Sequence, residues 1–202
     1  MYMEPFRTDN LYQEALEHAL ELAGEQAAFF AEYQAHIITK ILNKQGTNPA
    51  TILDYGCGDG TMAYILSALL PQAQIQGVDT SDELIEIAQG WYGTKNEKLR
   101  FSKSFAGQFD IIYMANVLHH IQKDQRKNLL KTLTDHLAPN GQLIILEFNP
   151  FNVFEVWRFY RNKEEQGNHM ILPCSIKKLL CNLGTTKTYY HKKIYAAVLT
   201  ID

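Results

Sequence analysis

At 202 residues the chain is long enough for one sizeable hydrophobic core and too short for two ordinary domains. Its content of 46% hydrophobic, 20% charged and 11% aromatic residues is typical of a globular protein and excludes the disordered, collagen-like and disulfide-rich classes. The formal net charge of -3 argues against a phosphate-led mode of nucleic-acid binding, which needs a basic face.

Targeting and metal-binding signals are also missing from the sequence. No apolar run reaches membrane-spanning length, and the first ten residues lack the basic and apolar regions of a signal peptide, so we expect a cytoplasmic protein with no membrane partner. The three cysteines Cys57, Cys174 and Cys181 form neither a CxxC pair nor an even disulfide set. No His, Asp or Glu cluster has ligand spacing, so no metal is expected.

Two amphipathic helices are predicted at the N-terminus. Apolar residues recur at three-and-four spacing over 11–23, and a second stripe with the same spacing follows Gly24. The second helix should end near the helix-breaking run 45–49.

Short β-rich runs then alternate with helical runs, which is typical of a parallel sheet built from right-handed crossovers. The predicted strands are 51–55, 74–78, 99–102, 109–114 and 142–148, followed by a hairpin of 185–190 and 194–201. The predicted helices are 61–70, 82–90 with Ser81 or Asp82 as its cap, 122–138 and 175–183. We therefore expect one α/β domain with a mostly parallel seven-stranded sheet and an antiparallel C-terminal hairpin.

A glycine-rich turn, ILDYGCGDG at 52–60, joins the first strand to a helix. Glycine permits a tight turn and removes the Cβ atoms that would keep a ligand from backbone N–H groups. A dinucleotide fingerprint would read GxGxxG, but the spacing here is GxGxG and position 61 is Thr. This pattern favours a nucleoside or amino-acid ligand over a pyrophosphate.

Two acids lie at the carboxyl ends of neighbouring predicted strands. Asp54 could receive a ligand's ammonium directly or through water, and Asp79, in IQGVDTS, could accept both hydroxyls of a ribose. Dinucleotide folds place an acid at the same point, so Asp79 alone does not discriminate between the two ligand classes. The structural alternative is that both acids cap the helices that follow.

These features together resemble the class I S-adenosylmethionine-dependent methyltransferases, over nearly the whole chain. Four blocks carry the resemblance: ILDYGCGDG, IQGVDTS, FDIIYMANVLHHI and LAPNGQLIILEFNP. The segments ALELAGEQAAFFAEYQ and EFNPFN are similar to a bacterial subgroup with small-molecule substrates. The resemblance implies a Rossmann-like fold with helices on both faces and extra N-terminal helices. It divides the single domain 1–202 into a helical cap (1–46), a cofactor-binding core (47–149) and a lid with the hairpin (150–202).

The resemblance also implies S-adenosylmethionine as the cofactor. Gly56, Gly58 and the neighbouring backbone would hold its methionine part, Asp79 its ribose, and the start of ANVLHHI would border the sulfonium. The complete set of predicted cofactor-binding residues is Asp54, Gly56, Cys57, Gly58, Asp79, Thr80, Ser104, Phe105, Asn116 and Val117.

One departure from the family concerns the adenine. Members normally carry an acid after strand three, in a loop that leads to a helix, whereas only residues 103–108 separate strand three from strand four here. Six residues span at most roughly 20 Å when nearly extended, so the crossover helix should be missing. Ser104 and Phe105 are then the candidates for the adenine wall.

Two histidines follow strand four, where a methyl acceptor is expected. His119, the first choice, or His120 could take the acceptor's proton, because the unperturbed pKa of histidine lies close to working pH. The alternative is that one ring packs structurally and the other is solvated, since many methyl transfers need only positioning.

Aromatic residues concentrate at 150–160, directly after strand five, and in the N-terminal helices. They predict a lid over an apolar acceptor pocket, or simply the packing of helices on the sheet. The residues assigned to acceptor binding are Tyr12, Phe30, Tyr33, Asn149 and Trp157.

The sequence therefore predicts methyl transfer from S-adenosylmethionine to an oxygen or nitrogen of a small molecule. A non-catalytic or regulatory protein that keeps the fold is the main alternative, supported by the short loop after strand three. A nucleic-acid methyltransferase is disfavoured because Ala115, Asn116, Val117 and Leu118 replace the D/N-P-P-Y/F motif of amino-methylating members. A nicotinamide enzyme ranks third.

Overall fold

The computed structural model describes residues 10–162 and 167–200, which divide into two compact units, one ending at Phe105 and the other beginning at Ala106. Its seven strands form a mostly parallel sheet whose C-terminal strands are antiparallel, as predicted. The single-domain organisation and its three subdivisions remain predictions. No helix among the described residues is both long and apolar enough to cross a membrane.

The first unit begins with two helices, α1 (Asn10–Ala23) and α2 (Glu25–Gln45). Gly24 separates them with a φ of 85°, a conformation that favours glycine. Both helices pack against each other and against α3 (Thr61–Leu69). The two extra N-terminal helices expected from the periodicity are therefore confirmed.

Three parallel strands form the rest of the first unit's core, with the order β3-β2-β1. They are β1 (Thr51–Tyr55), β2 (Gln74–Val78) and β3 (Leu99–Ser102), with the bounds predicted from the sequence. In the register Asp54 lies opposite Gly77 and Tyr55 opposite Val78. The glycine loop and the residues after β2 thus start from the same edge of the sheet.

A short helix, α4 (Asp82–Ala88), follows β2 and continues as a π-helical turn over Gln89–Gly93. Its cap is Ser81, whose hydroxyl accepts the Leu84 N–H at 3.3 Å. The predicted helix 82–90 is therefore present, although its last turn changes to π geometry.

The second unit contains β4 (Phe109–Ala115), β5 (Leu137–Phe148), β6 (Thr185–Tyr190) and β7 (Ile194–Thr200), in the order β4-β5-β7-β6. β4 and β5 are parallel, whereas β7 runs antiparallel to both β5 and β6. The hairpin was predicted to reach residue 201, which lies outside the described residues.

Three helices complete the second unit: α5 (Arg126–Asp135), α6 (Val153–Arg161) and α7 (Pro173–Leu180). The prediction of one helix over 122–138 is wrong at both ends. Leu137 already pairs with Phe109, and after an irregularity the ladder resumes with Gln142 opposite Ile111. The turn residues 139–141 therefore lie within β5, with Asn140 at φ 63°, because pairing with β4 outweighs the local turn signal.

Candidate functional site

The glycine loop after β1 passes three times through left-handed backbone conformations. Gly56, Gly58 and Gly60 have φ values of 78°, 56° and 81°, which a side chain would strain. The N–H groups of Gly56 and Cys57 both donate to the Val78 carbonyl, at 2.7 and 3.0 Å. The loop is thereby tied to the end of β2.

Asp79 connects this loop to the start of α4. Its Oδ2 accepts the Gly58 N–H at 3.0 Å, and its Oδ1 accepts the Ser81 N–H at 3.0 Å. A carboxylate can accept about four hydrogen bonds, so capacity for ligand hydroxyls remains. The structure thus brings two predicted cofactor residues, Gly58 and Asp79, into direct contact; Asp79 is half-buried and the following Thr80 is exposed.

Negative charge surrounds the loop. Asp54, at the end of β1, is only 2% exposed. Burial, followed by the charges of Asp54 and Asp79, raises the pKa of the Cys57 thiol, so the thiol stays protonated. Such an environment favours a ligand that carries positive charge.

The predicted adenine wall lies after β3. The Phe105 ring is half-buried and meets the Tyr55 ring edge-on, with centroids 6.1 Å apart. Burial and then the charge of Asp79 raise the pKa of Tyr55. Ser104 is exposed, and its carbonyl accepts hydrogen bonds from the Gln76 amide at 3.0 Å and the Ser102 hydroxyl at 2.8 Å.

The segment between β3 and β4 contains no helix, as expected from its length. Ser104 and Phe105 both lie within this helix-free segment.

Among the predicted acceptor residues of the first unit, Tyr12 is 4% exposed, and Phe30 and Tyr33 on α2 are half-buried. The Tyr12 hydroxyl donates to Glu32 and lies 3.1 Å from His36 Nε2. The hydrogen bond from His36 lowers the pKa of Glu32 more than burial raises it. Burial, followed by the bond to Glu32, raises the pKa of Tyr12.

In the second unit, Asn116 directly follows β4 and has a strained backbone, and the next residue, Val117, is half-buried. The Asn116 φ of 57° is left-handed, which is uncommon for a residue other than glycine. Its backbone N–H donates to the Leu146 carbonyl at 2.8 Å, but its buried Oδ1 has no hydrogen-bond partner among the described residues. Strain combined with an unsatisfied polar atom is typical of ligand-binding positions.

His119 is clamped by Glu147 of β5. Its Nδ1 lies 2.6 Å from Glu147 Oε2, and its backbone N–H donates to Oε1 at 3.3 Å. Both side chains are buried, at 0% and 1% exposure, and the His119 ring contacts the rings of Phe148 and Phe159. The imidazole is therefore held in one orientation and shielded from solvent.

His120 is exposed, in contrast to its neighbour. Its Nδ1 lies 2.9 Å from the Asn168 amide nitrogen, and its ring centroid is 4.2 Å from that of His119. The two rings are thus close neighbours, tilted by 40° to each other, with His119 buried and His120 exposed.

The remaining predicted acceptor residues follow β5. Asn149 is buried and bridges the β6–β7 turn: its Nδ2 donates to the His191 carbonyl at 2.7 Å, and its Oδ1 accepts the Phe151 N–H at 3.0 Å. Trp157 of α6 is 59% exposed, with the Arg161 guanidinium 4.7 Å from its ring centroid. Asn149 therefore has structural contacts, whereas Trp157 presents its ring to solvent.

The sequence interpretation missed three residues of these clusters. Glu147 could have been found, since it is a lone carboxylate inside the apolar run LIILEF. Glu32 and His36 carried no comparable signal, because their partner Tyr12 lies on another helix.

Comparisons with known proteins identify the family to which the chain belongs. The family model described as "Methyltransferase domain" matches residues 14–188. The carboxy-S-adenosyl-L-methionine synthase of Campylobacter curvus is 26% identical over 163 residues, which are 75% of this chain and 69% of that protein. The malonyl-[acyl-carrier protein] O-methyltransferase of Halalkalibacterium halodurans is 27% identical over 189 residues, with coverage of 83% and 69%.

The trans-aconitate 2-methyltransferase of Deinococcus radiodurans is 28% identical over 170 residues, covering 74% of this chain and 64% of that protein. Among solved structures, human N-acetylserotonin methyltransferase in complex with SAM superposes with a TM-score of 0.69 at 16% identity, covering 98% of this chain and 60% of that one. The chain thus spans roughly two thirds of the length of these proteins. With the family model matching most of the described residues, the chain belongs to the methyltransferase-domain family of class I S-adenosylmethionine-dependent methyltransferases.

Proposed function

We propose that this enzyme transfers the methyl group of S-adenosylmethionine to an oxygen or nitrogen atom of a small-molecule acceptor, in the cytoplasm. When bound, the cofactor supplies a methyl group that its positively charged sulfonium already activates. The protein's own residues then have to bind the cofactor and the acceptor and orient them toward each other. For some acceptors, a residue also has to remove a proton from the atom that is methylated.

The observation that carries the cofactor assignment is the hydrogen bond between the glycine loop and Asp79, which the Gly58 N–H donates. Because Gly58 and Ser81 use one lone pair on each Asp79 oxygen, the carboxylate is oriented and can still accept ribose hydroxyls. Hydrogen bonds to a charged group contribute about 1.5 to 3 kcal/mol. The proposal assigns the ribose to Asp79 and Thr80 and the methionine part to Asp54, Gly56, Cys57 and Gly58.

The electrostatics of the loop favour the same ligand. S-adenosylmethionine carries two positive groups, the sulfonium and the ammonium, which the charges of Asp54 and Asp79 would stabilise. A pyrophosphate, in contrast, would be repelled by the same acids. Phe105 with Tyr55 would provide the adenine surface, together with Ser104.

Asn116 and Val117 are assigned to the cofactor on separate grounds. The buried Oδ1 of Asn116 would gain a hydrogen-bond donor from a ligand, which would offset the cost of burying a polar atom unsatisfied. The left-handed backbone of Asn116 would direct that side chain.

For the acceptor, the proposal retains the aromatic residues of α1, α2 and α6. Tyr12, Phe30, Tyr33 and Trp157 would contact it, with Asn149 positioning the segment after β5. The names of two relatives support a carboxylate or acyl acceptor, since one is a trans-aconitate 2-methyltransferase and another a malonyl-[acyl-carrier protein] O-methyltransferase.

A general base is assigned to His119, with the exposed His120 as the second candidate. Glu147 would hold a proton on Nδ1 of His119, leaving Nε2 as the basic nitrogen. Because the His119 ring is enclosed by Phe148 and Phe159, it would act only after an acceptor displaces part of that aromatic cover. An acceptor with an acidic proton would not require this step.

Titration calorimetry with S-adenosylhomocysteine tests the cofactor assignment. Asp79→Ala should weaken binding by at least about tenfold, because charge-assisted hydrogen bonds to the ribose are lost. Glu83→Ala, which changes an exposed acid in the first turn of α4, is the matched control and should bind like the wild type.

Three outcomes would contradict parts of the proposal. Unchanged affinity in a folded Asp79→Ala variant would refute the ribose assignment, and no binding by the wild type would favour the non-catalytic alternative. Release of S-adenosylhomocysteine with a panel of small carboxylates, alcohols and amines then tests the acceptor class. Methylation of a nucleic acid but of no small molecule would overturn that part.

A further inference from the structure

The second unit carries a groove between α5 and α7 that the proposed chemistry does not use. Its volume is about 560 Å³, and its lining comes from residues just before α5, from α5 itself and from α7 with the turn after it. None of the residues assigned to cofactor or acceptor lines it.

All the charged residues that line this groove are positive. Its lining contains five cations and no carboxylate: Lys123, Arg126, Lys127, Lys131 and Lys178. Lys131 pairs with Asp135 at 2.7 Å, and Arg126 donates to the carbonyls of Ile121 and His119. For Lys123, Lys127 and Lys178, the described part of the chain offers no carboxylate within ion-pairing distance.

This concentration of positive charge does not follow from the composition, because the chain as a whole has a net charge of -3. Lys127 and Lys131 are four residues apart on α5, and like charges at that spacing destabilise a helix. Asp135 offsets the charge of Lys131 only, so a ligand of opposite charge would stabilise the other lysines of the groove.

The groove also has an apolar part. Leu179 and Leu183 contribute to its lining, whereas no aromatic side chain does. Surfaces that bind single-stranded nucleic acids combine cations with aromatic stacking platforms, which are missing from this lining. Lysines beside leucines instead match an amphipathic helix that has one apolar face flanked by acidic residues.

We propose that the groove between α5 and α7 is a docking site for an acidic amphipathic helix of a partner protein. Leu179 and Leu183 would receive the apolar face of that helix. Lys123, Lys127 and Lys178 would pair with its glutamates or aspartates. The site is independent of the cofactor assignment, since it uses other residues.

Fluorescence anisotropy with a synthetic peptide tests this proposal. The probe is a labelled amphipathic helix of about 18 residues, five turns long, with leucines on one face and glutamates beside them. The wild type should bind it, with affinity falling as salt is added. The double variant Lys127→Glu/Lys178→Glu should bind at least about tenfold more weakly, because two attractive contacts become repulsive.

Two controls make the result specific. Lys187→Glu reverses an exposed lysine on β6 that does not line the groove and should bind like the wild type. The same peptide with glutamine for every glutamate should not bind. Retained S-adenosylhomocysteine binding and a native circular dichroism spectrum show that the variants are folded. If the charge-reversed variant does not fold, the neutral variant Lys127→Gln/Lys178→Gln replaces it in the binding experiment.

The proposal is overturned if the wild type does not bind the acidic peptide, or if charge reversal in the groove leaves binding unchanged. It is also overturned if an RNA duplex of about 16 base pairs binds through the same lysines while the peptide does not. If the wild type does not bind S-adenosylhomocysteine, that result contradicts the proposed function but not the docking site.

Discussion

At the scale of single residues, Glu147 is an acid with 1% exposure inside the otherwise apolar run LIILEF of β5. Burying a carboxylate is costly unless it is paired and hydrogen-bonded. Here the backbone N–H and Nδ1 of His119 both face the carboxylate, so the burial is compensated by one partner residue. The stability of the segment after β4 should therefore depend on this pair.

We expect Glu147→Ala to lower the free energy of unfolding by about 1 to 3 kcal/mol, because it removes the carboxylate that pairs with the buried Nδ1 of His119. Urea unfolding measures the loss. In a double-mutant cycle with His119→Ala, the second substitution should cost much less in the Glu147→Ala background. Strictly additive losses would mean that the two side chains do not stabilise each other.

The cluster of Tyr12, Glu32 and His36 predicts a pH dependence. The folded state lowers the pKa of Glu32, with the hydrogen bond from His36 as the largest cause. A lowered carboxyl pKa contributes stability above its unfolded value of about 4.3, and this contribution is lost as the pH falls through the folded pKa. The cluster should therefore stabilise the fold at neutral pH and fail in acid.

The Glu32→Gln variant should accordingly be less stable than the wild type at about pH 7, and the loss should be much smaller at about pH 3. The two losses in the free energy of unfolding should differ by less than about 1 kcal/mol, because Glu32 is partly exposed. Chemical unfolding at several pH values measures this. Glu25→Gln, an exposed acid at the start of α2, is the control. An equal loss for Glu32→Gln at both pH values would contradict the assignment.

At the scale of elements, β2 can approach its neighbours closely because Gly77 has no side chain. A Cβ at Gly77 would lie 2.5 Å from a ring carbon of Phe101 on β3 and 3.0 Å from Cβ of Cys57 in the glycine loop. Packing therefore requires the glycine of IQGVDTS. The Asp79 of the same segment serves a different purpose, since it is the proposed ligand of the ribose.

We expect Gly77→Ala to lower the free energy of unfolding by about 1 to 3 kcal/mol through overpacking. Thermal unfolding followed by circular dichroism measures the effect. Gly90→Ala is the matched control, because nothing lies within 4 Å of the added carbon. A Gly77→Ala variant as stable as the wild type would show that Phe101 can move aside at little cost.

At the scale of the whole molecule, a net charge of -3 conceals two opposite local environments. In the first unit, Asp54, Asp59 and Asp79 surround Cys57. In the second unit, the groove between α5 and α7 is lined by five cations. The overall charge argues against phosphate-led binding of nucleic acid, but it does not reveal a groove formed by lysines from two separate helices.

Much of the fold was predictable because hydrophobic periodicity and turn residues are local properties. The bounds of β1, β2 and β3 were correct, and the missing helix between β3 and β4 followed from the length of residues 103–108 alone. The C-terminal end of α5 was misplaced because the pairing of Leu137 with Phe109 is a long-range contact. Local patterns contain no record of such pairing.

The sequence by itself determined the class of the fold and the family, since the glycine loop, the acids at strand ends and the order of four blocks are readable along the chain. Only the tertiary structure decided which side chains act together. It paired His119 with Glu147, joined Gly58 to Asp79, and brought the lysines of α5 and α7 to one groove. The physical reason is that these contacts join residues far apart in the sequence, so they form only when packing brings those segments together.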